Sequence, residues 1–442
     1  METDTLVARL AQRALVLGLT LSIMGCGEIP NPHYVLPNFC QMLEDAPVTP
    51  LSAPLPPDAP FTKVYESIGQ IKVMHGLGTA KLAAGKNIIK VVQSVPVPSY
   101  ANHATVFLNG WEVNYLGDDQ HLLALGTLIS KITFDRRGTL SWTAIGLLRD
   151  DDFEEGYGFT YHFTVLAWND AALNLIVDNG TATGICNTTT NLPEKSFLAL
   201  SNGAFTNGTT ALSAFSAFSQ NPAFPSGHPV AVLPRGFGFG WYDGDHHLLQ
   251  LAYNLEHSEI FAESGKLYNN NTPNVHTLAD IESGMPAPLP GTASLVDSGF
   301  VSWTTEAILK DNSSRRDYLF AEATSTLGGT DVGIIQPPFA VLPRDSGGST
   351  SSATVMTQDF VIEAVPFEFA IPMLTGWELG YAVDDAHVKE VGIWIDHWTY
   401  VGDTLRYTIG AILRDNDANR PQYFRHKVTI LGVRSTAGRV AR

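Results

Sequence analysis

A carboxylate two residues ahead of an imidazole occurs three times at matched places in this 442-residue chain: Asp119/His121, Asp245/His247 and Asp385/His387. A carboxylate that orients an imidazole is the arrangement found behind metal ligands and general bases. The same spacing suits a plain turn, in which the Asp accepts from nearby backbone amides and the His closes the sheet edge. Direct contact with a bound ligand is the third reading. Parity speaks for the turn, because each His falls in step with the inward sets Leu125/Thr127, Leu251/Tyr253 and Val391/Ile393. That places the rings at the rim of the core.

Two other groups could do chemistry. Asp415-Asn416-Asp417-Ala418-Asn419 and Asp150-Asp151-Asp152 offer alternating oxygens. Such spacing suits calcium, which takes six to eight hard oxygen ligands. Asp150, Asp152, Asp415, Asp417 and Asn419 are thus the candidate ligands, with calcium the one cofactor the sequence suggests and a solvated turn the competing reading. Trp394 and Trp398, with Tyr157, Phe159 and Tyr161, alternate along strand-like runs. Their faces could stack on sugars or pack in the core. Gly-x-Ser-x-Gly, His-Glu-x-x-His and a complete phosphate loop are absent, so no catalytic residue is assigned.

The elements that must position these residues repeat. Gly110-Trp111-Glu112-Val113-Asn114-Tyr115 returns as Gly376-Trp377-Glu378-Leu379-Gly380-Tyr381 and, in a worn copy, as Gly236-Phe237-Gly238-Phe239-Gly240-Trp241. In each copy the His follows the first aromatic by 10 residues. Further on come Trp142-Thr143, Trp303-Thr304 and Tyr407-Thr408, each followed by a base–acid pair: Arg149-Asp150, Lys310-Asp311 and Arg414-Asp415. Self-similarity of this kind marks one unit used three times.

Strict alternation of aromatic with small or polar residues predicts half-buried antiparallel strands, and helical periodicity is scarce beyond the first 25 residues. The expected fold is all-β: three tandem antiparallel β-sandwich-like repeat domains, each large enough for its own core, over 63–172, 196–343 and 355–442, with their packing against one another left open. Linkers are expected at 173–195 and 344–354, and an insertion in the second repeat at about 261–296.

Net charge is −17 with only 27 Lys plus Arg, which argues against nucleic acid. Charged residues make up 16%, below the usual quarter or so, as in secreted β-rich proteins. Residues 1–26 read as a targeting segment: Arg9 and Arg13 precede an apolar run ending Ile23-Met24-Gly25-Cys26. A Pro-dense stretch over 27–62 reads as a tether. The remaining cysteines, Cys40 and Cys186, could pair in an oxidising compartment.

The segment ending at Cys26 resembles the lipobox of bacterial lipoproteins, which implies lipidation of Cys26 and, with Gly27 following, sorting to the outer membrane. An ordinary secretory signal is the alternative. The size, all-β character and threefold use of the repeat look somewhat like H-type lectin domains. Together these features lead us to expect a secreted or surface-anchored binding or structural protein, possessing a lipid anchor as its only membrane contact. Its partner would be a glycan, another protein or its own kind. An extracellular hydrolase or metal-dependent enzyme with a site between repeats is the alternative.

Overall fold

The computed structural model describes residues 71–135 (without 85–87), 137–178 (without 153–154 and 171–173), 229–256 (without 242–243), 304–342 (without 313–316 and 339) and 355–433 (without 417–419). Short strands at 63–67, 182–183, 196–198, 205–206, 211–213, 217–219, 263–264, 266–268, 275–277 and 299–300 complete it. The segment ending at Cys26, most of the tether and of the 261–296 insertion, the linker at 344–354, Cys40, Cys186, Asp417 and Asn419 lie outside the described residues.

The fold is all-β, with antiparallel sheets and no helix among the described residues. The larger strands are β1 (Ile71–Leu82), β2 (Ile89–Pro96), β3 (His103–Tyr115), β4 (Ala124–Asp135), β5 (Thr139–Arg149) and β6 (Tyr157–Trp168) from the first third. The middle third supplies β7 (Val230–Trp241), β8 (Gln250–Glu256), β9 (Thr304–Lys310) and β10 (Asp317–Gly328). The last third supplies β11 (Met356–Ile362), β12 (Phe369–Tyr381), β13 (Glu390–Val401), β14 (Thr404–Arg414) and β15 (Gln422–Val433).

The motif strands are β3, β7 and β12. Each pairs along its length with the last strand of its own copy: β3 with β6, β7 with β10, β12 with β15. On its other edge each motif strand meets the second strand of a different copy. β4 pairs with β7, β8 with β12, and β13 with β3, so the exchange runs from first to second to third and back to first. Head-to-tail contacts that close after three steps form a ring. Each motif strand is therefore separated from its successor in the chain, and the three copies do not form self-contained cores. The two lie in different sheets, and buried residues of all three copies form one continuous cluster. Part of the expected linker at 173–195 also joins a sheet, since Ile176–Asp178 and Ala182–Thr183 pair with β10.

At the centre the first aromatics of the three motifs meet. Ring centroids are 5.1 Å apart for Trp111–Phe237, 5.2 Å for Trp111–Trp377 and 5.0 Å for Phe237–Trp377. All three are almost fully buried. Edge-to-face and tilted aromatic contacts at this spacing contribute beyond the area they bury. Just before each aromatic the register slips, between Leu108 and Gly110, Pro234 and Gly236, and Leu374 and Gly376. A bulge bends a strand and increases its twist, which lets each motif strand serve two neighbours. The bulged residues Asn109, Arg235 and Thr375 are buried and hydrogen-bonded; Asn109, for example, accepts from the Leu374 amide at 2.8 Å, in another copy. Gly110 sits at φ 149°, and a Cβ there would come within 2.2 Å of the Trp394 Cβ across the β3–β13 seam.

Trp394 and Trp398 are corrected as exposed sugar platforms. Trp394 stacks on His162 with centroids 5.3 Å apart, and Trp398 meets the His75 ring edge-on at 4.8 Å. Both are buried, as are Tyr157, Phe159 and Tyr161. The first half of β13 is covered on both faces, and a bulge between Ile395 and His397 breaks the alternation beyond it.

Burial sets opposing pH dependences. Near β13, His75 Nε2 donates to the Ile395 carbonyl at 2.9 Å, so Nδ1 is left to accept from the Thr164 hydroxyl at 3.2 Å. Desolvation lowers its pKa to about 4, lowers that of His426 to about 4, and pushes His162 down as well. Groups depressed below their unfolded value stabilise the fold above pH 6.5, and that contribution is lost as pH falls toward 4. Glu112 acts the other way: burial first, then the nearby Glu390, raises its pKa to about 7, so ionising it costs stability between about pH 4.5 and 7. Three histidines outweigh one glutamate. Denaturant midpoints measured from pH 8 to pH 4 should fall once pH drops below about 6.5, and Glu112→Gln should raise the midpoint at pH 8 while leaving it unchanged at pH 4.

Candidate functional site

The connection from each motif strand to its successor carries the Asp-x-His element, and the three connections meet. Gln120 and Val388 exchange backbone hydrogen bonds, as do Leu122 and His246, and Leu248 and Ala386, all at 2.8–3.0 Å. These six bonds close a triangle of short bridges joining the three copies. Bends at Leu123, Leu249 and Lys389 follow the bridges and reset the side-chain alternation. Leu122, Leu248 and Val388 therefore point into the core, and His121, His247 and His387 point out from the triangle. Their side chains are 42%, 39% and 41% exposed. Counting in twos from Leu125 places the histidines inward, and the bend is the physical reason they are not.

The three imidazoles form a second triangle, with centroids 4.7 Å apart for His121–His247, 4.5 Å for His121–His387 and 4.7 Å for His247–His387. Nδ1 of each faces a carboxylate from the next copy: His121 to Asp245 at 3.6 Å, His247 to Asp385 at 3.3 Å, His387 to Asp119 at 3.7 Å. The element is thus not an Asp serving its own His. Tyr115 and Tyr381 donate from beneath to the His121 and His387 carbonyls, each at 3.3 Å. Burial first, then neighbouring carboxylates, raises the pKa of both phenols and keeps them protonated donors.

The same carboxylates cap the turns after the base–acid pairs. Asp119 accepts from the Asn416 amide at 3.1 Å, Asp385 from the Asn312 amide at 3.1 Å, and Asp245 from the Asp151 amide at 3.4 Å. The side chains of Asn416 and Asn312 also donate to Asp118 and Asp384 at 3.4 and 3.0 Å. In the second copy Gly244 stands where Asp118 and Asp384 stand in the others, and the turn which that copy caps carries the acid Asp151. Asn312, Asn416 and Asp151 escaped the sequence reading as partners, although each directly follows a base–acid pair.

The calcium candidates are placed differently. Asp150 and Asp415 are buried, and Asp415 takes Arg420 Nε at 3.1 Å, while Asp152 is exposed. Among the described residues, the group of three potential metal-ligating side chains brought together is His121, His247 and His387, whose candidate ligand atoms lie within 4.8 Å of one another. Chemically, the assembly offers three nitrogen donors on an acidic rim, open to solvent on one side.

No family model matches the chain, and no curated protein matches it. Among solved structures, dimeric latent PorU from Porphyromonas gingivalis aligns at 11% identity and a TM-score of 0.10, over 79% of this chain and 32% of that one. The structure of infectious bursal disease virus, Gx strain, aligns at 9% identity and a TM-score of 0.12, over 91% of this chain and 88% of that one. The chain spans about a third of the PorU chain it aligns with.

Asp385 holds both His247 and the Asn312 turn, whereas among the described residues Asp384 takes the exposed Asn312 amide side chain. In chemical denaturation, Asp385→Ala should destabilise the protein by about 1–2 kcal/mol, the scale of a lost charged acceptor for a turn amide. Asp384→Ala should stay within about 0.5 kcal/mol of the parent.

Proposed function

We propose that the chain is a secreted or surface-anchored, non-enzymatic binding or structural protein, made of three homologous β units that present one shared end to a glycan or protein partner. The observation supporting this reading is triplication. The Asp, the His and the capped turn recur in all three copies, and each joins one copy to the next. An enzyme's acid–base machinery is expected in one place, with roles divided between unlike residues. Equivalent surfaces on three units instead suit a partner engaged several times weakly, where effective concentration multiplies affinity. With Trp394 and Trp398 buried, glycan contact falls to the Asp and Asn side chains of the bridge end. Lipidation at Cys26 and the Pro-rich tether would hold the β units off a membrane surface.

The second reading, a metal-dependent hydrolase working between repeats, draws on one specific observation: three imidazoles from different copies meet with an open side. Both readings are tested by applying the purified chain to a glycan array, with and without chelator, and to a panel of activated carboxyl and phosphate esters with added Zn²⁺. Saturable binding to one sugar class without ester turnover is the expected result. Zinc-dependent turnover abolished by His247→Ala would overturn the non-enzymatic reading.

A further inference from the structure

We infer that His121, His247 and His387 together bind one divalent transition-metal ion of the zinc class, which fastens the three copies at the centre of the bridge triangle. The argument begins with donor chemistry. Three imidazole nitrogens suit Zn²⁺ and its neighbours Co²⁺, Ni²⁺ and Cu²⁺, and discriminate against calcium and magnesium, which prefer oxygen. Each Nδ1 is turned toward Asp245, Asp385 or Asp119, which leaves Nε2 as the nitrogen for an ion. A carboxylate on the far nitrogen fixes the tautomer and raises ligand basicity, as in carboxylate–histidine–zinc sites.

The geometry is close to what such an ion requires. With Zn–N bonds of about 2.0–2.1 Å in tetrahedral array, nitrogens around one ion stand roughly 3.4 Å apart. One ring nitrogen of each histidine lies within 4.8 Å of the others, and side-chain rotation would close the remaining gap with Nε2 turned inward. Half-exposed rings have room for those rotations, while the six backbone hydrogen bonds beneath hold their Cα positions. Solvent on the outer side can supply a fourth ligand. Asp119, Asp245 and Asp385 face the triangle with negative charge, which favours a cation. Three ligands so distant in sequence would make the ion a cross-link between copies, because metal binding free energy contributes to folding when the site is formed only in the folded chain.

The test uses the full chain, prepared without a histidine tag and stripped by chelator, then titrated with Zn²⁺ and Co²⁺. We expect one ion per chain by elemental analysis after dialysis, a visible Co²⁺ d–d spectrum of low coordination number, and a melting temperature raised by Zn²⁺ but not by Ca²⁺. His247→Gln should weaken binding at least about 100-fold, and Asp245→Asn about 10–100-fold through the orienting carboxylate. Should either variant fail to fold, Cu²⁺ electron paramagnetic resonance on the unaltered chain reads the number of coordinated nitrogens, and three are expected. Absence of stoichiometric binding, or binding retained in the triple variant His121→Gln/His247→Gln/His387→Gln, would overturn the inference.

Discussion

Everything in this molecule depends on the seams where a motif strand of one copy receives the second strand of another. A motif strand flanked only by its own last strand would leave one edge of backbone donors and acceptors open, and a bare edge invites aggregation. Here β4, β8 and β13 close those edges in a cycle. The chain does within itself what a homotrimer does between subunits, and the closed ring leaves no copy complete without both neighbours. The aromatic triangle of Trp111, Phe237 and Trp377 is a consequence, because only exchanged strands bring all three motif strands to one centre.

The exchange also explains the polar end. Once each connection must cross to a neighbour, its backbone is satisfied by bridges to other copies, and its histidine is presented outward among carboxylates that belong elsewhere. The Asp residues hold two duties at once, capping a neighbour's turn and facing a neighbour's imidazole. Copy-to-copy differences follow the same contacts. Asn312 and Asn416 donate to Asp384 and Asp118, and where the capped turn carries Asp151 the capping copy has Gly244 at the equivalent position.

Much of the fold was legible in the sequence, and the limit is physical. Alternation in Trp111-Glu112-Val113-Asn114-Tyr115 identifies a strand and its buried face, and the all-β class follows. Period two says which face is inward; it does not say which strand lies alongside, and register and partner are set by contacts remote in sequence. How the units pack against one another stayed open in the sequence for that reason. The Asp-x-His elements were picked out by their spacing, yet the carboxylate facing each imidazole comes from another copy, which no local pattern encodes. Trp394 and Trp398 misled because β13 is covered on both faces and then bulged, so alternation there does not leave a free side.

The most direct test of strand exchange is to place a protease site between residues 187 and 195, cut the folded protein there, and run it on a sizing column without denaturant. With β13 and β14 completing the sheet of β3, and β4 and β5 completing that of β7, the two pieces should elute together at the mass of the uncut chain and separate only in denaturant. Two independently folded pieces eluting apart without denaturant would contradict the account.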